Sequence, residues 1–228
     1  MPVNREAYQT TRKELEAKQV TLVAVSKTKP VEDILELYNL GQKDFGENYV
    51  QELVDKAARL PHDIRWHFIG HLQTNKVKLI VGFVQLIHGV DSLKLLKEIN
   101  KEAKKTGRVI DCLLQVHIAQ EETKFGLDEE ELNFIISQFD DLKMENIRIC
   151  GLMGMASFTD NSEIVRGELK KLKQLYNHHA VAKTLRSQAR SKLVTLSMGM
   201  SSDYKIAVDE GSTMVRIGSL LFGERAGK

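Results

Sequence analysis

Eight short runs rich in β-branched and other apolar residues alternate along this sequence with longer segments of helical periodicity. Such alternation is typical of βα units, which build a parallel sheet. The predicted strands cover residues 20–26, 43–45, 64–69, 86–90, 110–118, 147–153, 193–197 and 214–217. Eight parallel strands with intervening helices in 228 residues predict an α/β fold, the (β/α)8 TIM barrel, with few additions.

The helical segments complete this pattern. They cover residues 31–40, 49–59, 75–81, 92–105, 128–139, 162–185 and 203–210, and a further helix at 4–18 precedes the first strand. An open doubly wound sheet is the alternative, but that fold normally carries a Gly-rich turn after its first strand. Here Lys27, Thr28, Lys29 and Pro30 occupy that position. No linker or repeat divides the chain, so we expect residues 1–228 to form one domain.

Composition and charge exclude several classes of protein. The chain is 42% hydrophobic, which allows a large core, and its net charge of +2 lacks the basic excess of a nucleic-acid-binding domain. Its apolar runs are too short to span a membrane, and its start is too polar for a secretory signal. Cys112 and Cys150 lie in apolar runs typical of buried thiols. We therefore expect a cytoplasmic protein.

In a barrel of this type, functional residues follow the carboxyl ends of the strands. Lys27 follows the first strand, and alternation puts it on the same side as Val23 and Val25, at the barrel mouth. An amine held among apolar walls is a candidate nucleophile toward an aldehyde. A solvated lysine is the alternative interpretation. Lys29 is the weaker candidate because it precedes Pro30 and lies further into the loop.

Small residues follow the last two predicted strands. Gly199, Ser201 and Ser202 follow the seventh, and Gly218 and Ser219 follow the eighth. Barrels commonly bind phosphate with these two loops, since glycine lets the backbone approach the anion and serine adds a hydroxyl donor. Ordinary turn chemistry is the alternative for either cluster alone. Together they predict a phosphorylated ligand.

Arg216 lies on the eighth strand, where it shares a face with Met214 and Gly218. Because the eighth strand of a closed barrel adjoins the first, this arginine can approach the first strand's lysine, with Asn48 of the second strand on the far side. An aldehyde-accepting lysine, a phosphate cradle and an arginine suit pyridoxal 5′-phosphate. The alternative is a structural arginine paired with Asp209 or Glu224.

Long motifs of this sequence resemble those of the pyridoxal phosphate homeostasis protein family. They are AVSKTKP (24–30), FGENYVQE (45–52), WHFIGHLQTNK (66–76), GLMGM (151–155) and LSMGMSSDYKIAVDEGSTMVRIGSLLFGER (196–225). The resemblance implies the barrel of alanine racemase without its second, β domain. It implies that Lys27 forms the internal aldimine with the cofactor and that Arg216 faces the pyridine nitrogen. The residues it implies for the phosphate are Ser201, Gly218 and Ser219, and those for the pocket wall are Asn48 and His67.

The same residues predict weak catalysis. Arginine can only donate hydrogen bonds, so it leaves the ring nitrogen unprotonated and the cofactor a weak electron sink. Racemisation also needs an acid/base opposite the lysine, supplied in alanine racemases by a tyrosine of the second domain. The sequence ends at Lys228, and we expect no such domain; Tyr49 and Tyr204 are better explained as residues that begin helices.

We therefore expect a monomer that binds pyridoxal phosphate reversibly, buffers it and delivers it to cofactor-dependent apoenzymes, with no strong catalysis. Lys124 could guide incoming phosphate, although a solvated loop lysine is the simpler interpretation. Two enzymes stay open as alternatives: a minimal amino acid racemase that uses the same cofactor, and a Schiff-base aldolase acting on a sugar phosphate.

Overall fold

The computed structural model of the chain describes residues 3–121, 125–184 and 193–223. Its centre is a closed barrel in which each of eight strands pairs in parallel with the next and the eighth pairs with the first. The strands are β1 (Thr21–Val25), β2 (Asp44–Glu47), β3 (Arg65–Phe68), β4 (Leu86–Val90), β5 (Ile110–Gln115), β6 (Ile147–Met153), β7 (Thr195–Ser197) and β8 (Met214–Ile217). The TIM-barrel prediction is confirmed.

Helices surround the barrel in the order that the sequence predicts. They are α1 (Arg5–Ala17), α2 (Val31–Asn39), α3 (Val50–Arg59), α4 (Val77–Ile80), α5 (Leu93–Lys105), α6 (Glu129–Gln138), α7 (Ser162–Thr184), α8 (Tyr204–Asp209) and α9 (Ser219–Phe222). The extra helix α1 begins where the side chain of Asn4 accepts a hydrogen bond from the N–H of Ala7. Among the described residues, no helix is long and apolar enough to cross a membrane.

Two layers of apolar side chains hold this architecture together. The larger one fills the space between the strands and the surrounding helices. The smaller lies inside the barrel and consists of Val23, Leu86, Leu113, Met153 and Met214. Alternation along each strand produces both layers, because successive side chains point to opposite faces. The inner layer is small, which leaves room inside the barrel for polar side chains.

Three local differences from the sequence prediction have identifiable causes. β5 ends at Gln115, not at residue 118, because His117 and Gln115 exchange backbone hydrogen bonds with Leu127, which lies just before α6. The segment predicted as one helix at 75–81 is a 3-10 turn, Thr74–Lys76, followed by α4. The short helix α9 was not predicted, since four residues are too few to show a helical period.

Candidate functional site

A cavity of about 480 Å³ opens at the carboxyl ends of the strands. Six of the seven residues that the sequence singles out for the cofactor line it: Lys27, Asn48, Ser201, Arg216, Gly218 and Ser219. The other described lining residues are Val25, Lys29, Ile69, Met155, Phe158, Met200, Ser202 and Gly223. Its volume falls in the range of small-molecule sites, which runs from about 300 to 1,000 Å³.

Lys27 stands at the turn that ends β1, and its two chain neighbours are held tightly. The Ser26 N–H donates to the carbonyl of Gly46 on the neighbouring strand, at 3.0 Å. The Thr28 N–H donates to Glu52 Oε1 at 2.6 Å, and Thr28 has a φ of +64°, a conformation uncommon for a residue with a side chain. Neighbouring contacts therefore fix the backbone that presents Lys27.

We call the buried group behind this turn the Glu47 clamp, formed by Ser26, Glu47, Glu52 and Lys56. Lys56 Nζ donates to the Ser26 carbonyl at 2.7 Å, to Glu47 Oε1 at 2.8 Å and to Glu52 Oε1 at 2.6 Å. The Ser26 hydroxyl donates to the same oxygen of Glu47 at 2.6 Å. Burial raises the pKa of Glu47, and the charge and hydrogen bond of Lys56 oppose that rise.

Arg216 lies almost wholly buried at the floor of the cavity. Its Nη1 donates to the carbonyl of Ser197 at 2.8 Å and to the hydroxyl of Ser197 at 2.6 Å, and its Nη2 donates to the carbonyl of Gly154 at 3.0 Å. Burial lowers its pKa to about 10, against a smaller opposing effect of Asp203, so it is protonated at neutral pH.

The alternative interpretation of Arg216, an ion pair with Asp209 or Glu224, finds no support among the described residues. Asp209 instead faces Lys18, at 3.6 Å, and Glu224 lies outside the described residues. Within the described ranges, no carboxylate forms an ion pair with Arg216, and its side chain donates hydrogen bonds to oxygens of Ser197 and Gly154.

The predicted phosphate side of the cavity is built from the loops after β7 and β8. The hydroxyl of Ser201 accepts hydrogen bonds from the N–H groups of Gly218, at 3.2 Å, and Leu220, at 3.5 Å, so the two loops meet there. A Cβ at Gly218 would lie 3.2 Å from the carbonyl oxygen of Val25. Glycine thus allows β8 to end close against β1, and the small residues leave space for an anion.

Asn48 contributes an unused acceptor to the same cavity. Its Oδ1 atom is buried and has no hydrogen-bond partner among the described residues. A buried polar atom without a partner is costly, and an incoming donor on a ligand would remove that cost.

Lys29 also lines the cavity, but its Nζ donates to the carbonyls of Phe222 and Gly223, at 2.7 and 3.2 Å.

His67, the seventh predicted residue, does not line the cavity. It lies deeper in the barrel on β3, 2% exposed, where Nε2 is 3.0 Å from Asp44 Oδ1 and Nδ1 is 3.0 Å from His88 Nε2. The motif that contains His67 predicted a role at the site. It carried no information about how deep in the barrel His67 lies along β3. Lys124 lies outside the described residues.

Tyr49 and Tyr204, considered for acid/base catalysis, stay away from the cavity. Tyr49 caps the start of α3 and is 57% exposed. Tyr204 begins α8, and its hydroxyl donates to Glu14 Oε2 on α1, at 3.3 Å. Both tyrosines begin helices as predicted, and Tyr204 packs there, but the expectation that Tyr49 also packs is wrong because its side chain faces solvent.

Sequence reasoning missed the apolar rim of the cavity, formed by Ile69, Met155, Phe158 and Met200. Phe158 is 90% exposed at the mouth, in the loop after β6. It also missed Ser197, which holds Arg216. A serine at a strand end and scattered apolar loop residues carry no periodic signal, so only the folded chain identifies them.

Comparison with known proteins places the chain in a family. A family model described as "Alanine racemase, N-terminal domain" matches residues 5–226. A pyridoxal phosphate homeostasis protein of Aquifex aeolicus is 44% identical over 205 residues, which are 90% of this chain and 86% of the relative. This chain belongs to the pyridoxal phosphate homeostasis protein family. The family member of Homo sapiens is 40% identical over 223 residues, covering 93% of this chain and 79% of the human protein.

Solved structures agree with the family assignment. PipY of Synechococcus elongatus, in a structure with PLP bound, superimposes with a TM-score of 0.83 at 34% identity and covers 96% of this chain and 99% of PipY. Alanine racemase of Bartonella henselae gives a TM-score of 0.66 at 17% identity, covering 96% of this chain and 62% of the racemase. The second likeness shows the shared barrel alone.

Proposed function

We propose that this protein binds pyridoxal 5′-phosphate covalently through Lys27 and takes part in the homeostasis of that cofactor, as a reservoir that releases it again. One observation carries the proposal: Lys27, Arg216 and the small-residue loops at Ser201 and Gly218 line a single cavity. An amine, a fixed cation and an anion cradle are the three groups that an aromatic aldehyde phosphate requires of its site.

The residues present fit this cofactor at each of its polar ends. When bound, pyridoxal phosphate supplies an aldehyde that a lysine amine bonds and a ring nitrogen that accepts hydrogen bonds. In the proposed arrangement Lys27 binds the aldehyde end and Arg216 the ring nitrogen. Ser201, Gly218 and Ser219 hold the phosphate, and the buried Asn48 Oδ1 accepts from a ligand donor.

The side chains of the cavity favour holding the cofactor over catalysis. Among the described lining residues, the ionisable ones are Lys27, Lys29 and Arg216, all of them basic. A guanidinium only donates, so it leaves the nitrogen that it contacts unprotonated. Proton transfer at a bound amino acid would need a second acid/base across from Lys27, and Tyr49 and Tyr204 lie elsewhere. We therefore propose slow turnover at most.

The relatives support the same function. Proteins 40% identical and more are named for pyridoxal phosphate homeostasis, and PipY has been solved with PLP bound. We propose that cofactor-dependent apoenzymes receive the cofactor, which can leave through the open mouth of the cavity beside the exposed Phe158. We also propose a monomer, since the exposed apolar side chains lie in separate segments: Leu35 on α2, Phe134 on α6 and Val194 just before β7. Two free thiols, Cys112 and Cys150, support a reducing, cytoplasmic location.

Covalent loading tests the proposal directly. Purified protein is incubated with pyridoxal phosphate, reduced with borohydride and digested, and the modified peptide is located by mass spectrometry. We expect a yellow protein that loses its colour on reduction and carries the label on Lys27. Lys27→Arg should stay colourless, whereas the matched control Lys29→Arg should load. A wild-type protein that cannot be loaded, or a label on Lys29, would contradict the proposal.

A separate measurement addresses turnover. The loaded protein is incubated with an amino acid in deuterium oxide, and exchange of the α-hydrogen is followed by NMR. We expect a rate close to that of free pyridoxal phosphate. Exchange at an ordinary enzyme rate, on the order of 1 s⁻¹ or faster, would identify the protein as a racemase-type enzyme instead.

A further inference from the structure

A chain of side-chain hydrogen bonds crosses the barrel interior below the cavity. It starts at Arg216 Nη1, which lies 2.6 Å from Ser197 Oγ, and continues from Ser197 Oγ to His88 Nδ1 at 3.1 Å. His88 Nε2 is 3.0 Å from His67 Nδ1, and His67 Nε2 is 3.0 Å from Asp44 Oδ1. Strands β8, β7, β4, β3 and β2 each supply one member.

The chemistry of its two ends allows hydrogen bonds to be donated along this chain in one direction, from Arg216 toward Asp44. Arginine can only donate, so the Ser197 oxygen accepts from Arg216, and its one hydrogen is available to His88 Nδ1. At the other end, burial opposes the ionisation of Asp44, but hydrogen bonds from Arg65 and His67 outweigh it and lower its pKa to about 2. An ionised carboxylate only accepts, so His67 Nε2 carries a hydrogen toward it.

This direction assigns the middle of the chain. In it His88 Nδ1 accepts from Ser197, and the His88 hydrogen is on Nε2 and is donated to His67 Nδ1. Both imidazoles are then neutral and carry the hydrogen on Nε2. Burial lowers the pKa of His88 well below its usual value, in agreement with a neutral ring.

The chain also joins two opposite charges that do not touch. Arg216 is buried and, among the described residues, has no carboxylate partner. Asp44 lies toward the opposite end of β2, beside the half-exposed Arg65. Ser197 and His88 between them are wholly buried. Aligned hydrogen bonds in such a dry interior polarise one another, so the negative end at Asp44 stabilises the positive end at Arg216.

We propose that Ser197, His88, His67 and Asp44 are positioning residues for Arg216: together they fix its guanidinium and add a counter-charge from the far end of the barrel. We call this series of hydrogen bonds the relay. Nη1 of Arg216 donates to the Ser197 hydroxyl, which belongs to the relay, and to the Ser197 carbonyl. Nε and one hydrogen of Nη2 are left to face a ligand. The ligand part of this inference rests on the proposed function, since it takes pyridoxal phosphate as the occupant of the cavity.

The tautomers of the two histidines in the wild-type protein test the relay without any ligand. Two-bond ¹H–¹⁵N correlation spectra of ¹⁵N-labelled protein near pH 7 distinguish which nitrogen of a neutral imidazole carries the hydrogen. His67→Asn and His88→Asn identify the two sets of signals. We expect both rings to be neutral with the hydrogen on Nε2. A hydrogen on Nδ1 of His88 would point toward Ser197, break the chain's direction and overturn the proposal.

A double-mutant cycle tests whether the two ends are coupled. Asp44→Asn removes the charge but keeps an acceptor oxygen for His67, and Ser197→Ala removes only the hydroxyl that accepts from Arg216. Because the two residues do not touch, independent effects would add. The equilibrium constant for unfolding is measured without cofactor for the wild type, both single variants and the double variant. We expect the effect of the double variant on this constant to differ by about fivefold or more from the product of the two single effects.

Asp111 provides a matched control. It forms the equivalent ion pair with Arg148 on the neighbouring strand, and Arg148 and Arg65 are 53% and 51% exposed in their side chains. Asp111 is not a member of the relay. The cycle of Asp111→Asn with Ser197→Ala should therefore be additive within about twofold. Additivity in the Asp44 cycle, or equal coupling in both cycles, would overturn the proposal.

The same six proteins, the wild type with the three single and the two double variants, then report on the ligand. The dissociation constant for pyridoxal phosphate should show coupling between Asp44 and Ser197 of about threefold or more, and none between Asp111 and Ser197. Coupled unfolding with additive affinities would refute the role toward the cofactor. Failure of the wild-type protein to load would instead refute the proposed function, while the ligand-free unfolding cycle and the tautomers still decide whether the relay exists.

Discussion

The Glu47 clamp behind Lys27 allows a quantitative prediction for one substitution, Lys56→Met. Methionine keeps most of the lysine's volume but removes the ammonium group. That group donates hydrogen bonds to the backbone carbonyl of Ser26 and to the side-chain carboxylates of Glu47 and Glu52. Glu47 is wholly buried, and its second oxygen already has no hydrogen-bond partner among the described residues. The variant therefore leaves a buried carboxylate with the Ser26 hydroxyl as its remaining partner in the clamp.

Breaking a buried ion pair on one side costs about 3–5 kcal/mol. Glu52 is partly exposed and regains water, so the loss arises mainly at Glu47. We expect Lys56→Met to lower the free energy of unfolding by about 3 kcal/mol near pH 8. The double variant Lys56→Met/Glu47→Leu removes both charges, so it should lose only about 1 kcal/mol.

The pH dependence has a definite sign. Burial already raises the pKa of Glu47, and loss of Lys56 raises it further, because the positive charge that opposed the rise is gone. The folded variant then binds a proton more tightly than the unfolded chain does. Its stability relative to wild type should accordingly increase as the pH falls, so the deficit is smaller near pH 5 than near pH 8.

Urea unfolding of the wild type and both variants near pH 5 and pH 8 measures these differences. Lys101→Met serves as the control, because Lys101 pairs with Glu98 on the surface, where water screens the pair, and its loss should leave the free energy of unfolding nearly unchanged. The reasoning is refuted if Lys56→Met costs less than about 1 kcal/mol near pH 8, or if the double variant is no more stable than the single one.

Four further substitutions, one of them a control, probe other parts of the molecule. Asp44→Asn should cost about 2 kcal/mol near neutral pH in urea unfolding; because the pKa of Asp44 is lowered to about 2, this difference should disappear between about pH 4 and pH 2. A deficit that persists at pH 2 would exclude charge as its cause. Gly199→Ala should cost about 2 kcal/mol or more, since φ is +99° and the new Cβ would lie 2.6 Å from Ala207 Cβ, whereas Gly167→Ala, in open space on a helix, should gain about 0.5–1 kcal/mol. Ser201→Ala should weaken binding of pyridoxal phosphate about fivefold in equilibrium titrations but leave phosphate-free pyridoxal unaffected; equal losses for both ligands would place Ser201 away from the phosphate.

The architecture followed from the sequence because its signals are local. Three strands, Leu86–Val90, Ile147–Met153 and Met214–Ile217, have the bounds that alternation and apolar runs predict. Residue alternation along the first strand is enough to predict a position for Lys27 at the barrel mouth, and Lys27 lines the cavity there. The end of β5 was misplaced since its last residues pair with Leu127, a contact that no short window of sequence contains.

The sequence alone therefore determined the order of the elements and which loops line the cavity. It did so through periodicities of two and 3.6 residues. Only the tertiary structure decided what surrounds them. His88 and Ser197 lie 109 positions apart and meet because β4 and β7 face each other across a closed barrel. Likewise, the depth of His67 depends on how far each strand is shifted against its neighbour. Strand register and barrel closure are cooperative properties of the whole chain, and they turn a lysine and an arginine far apart in sequence into one site.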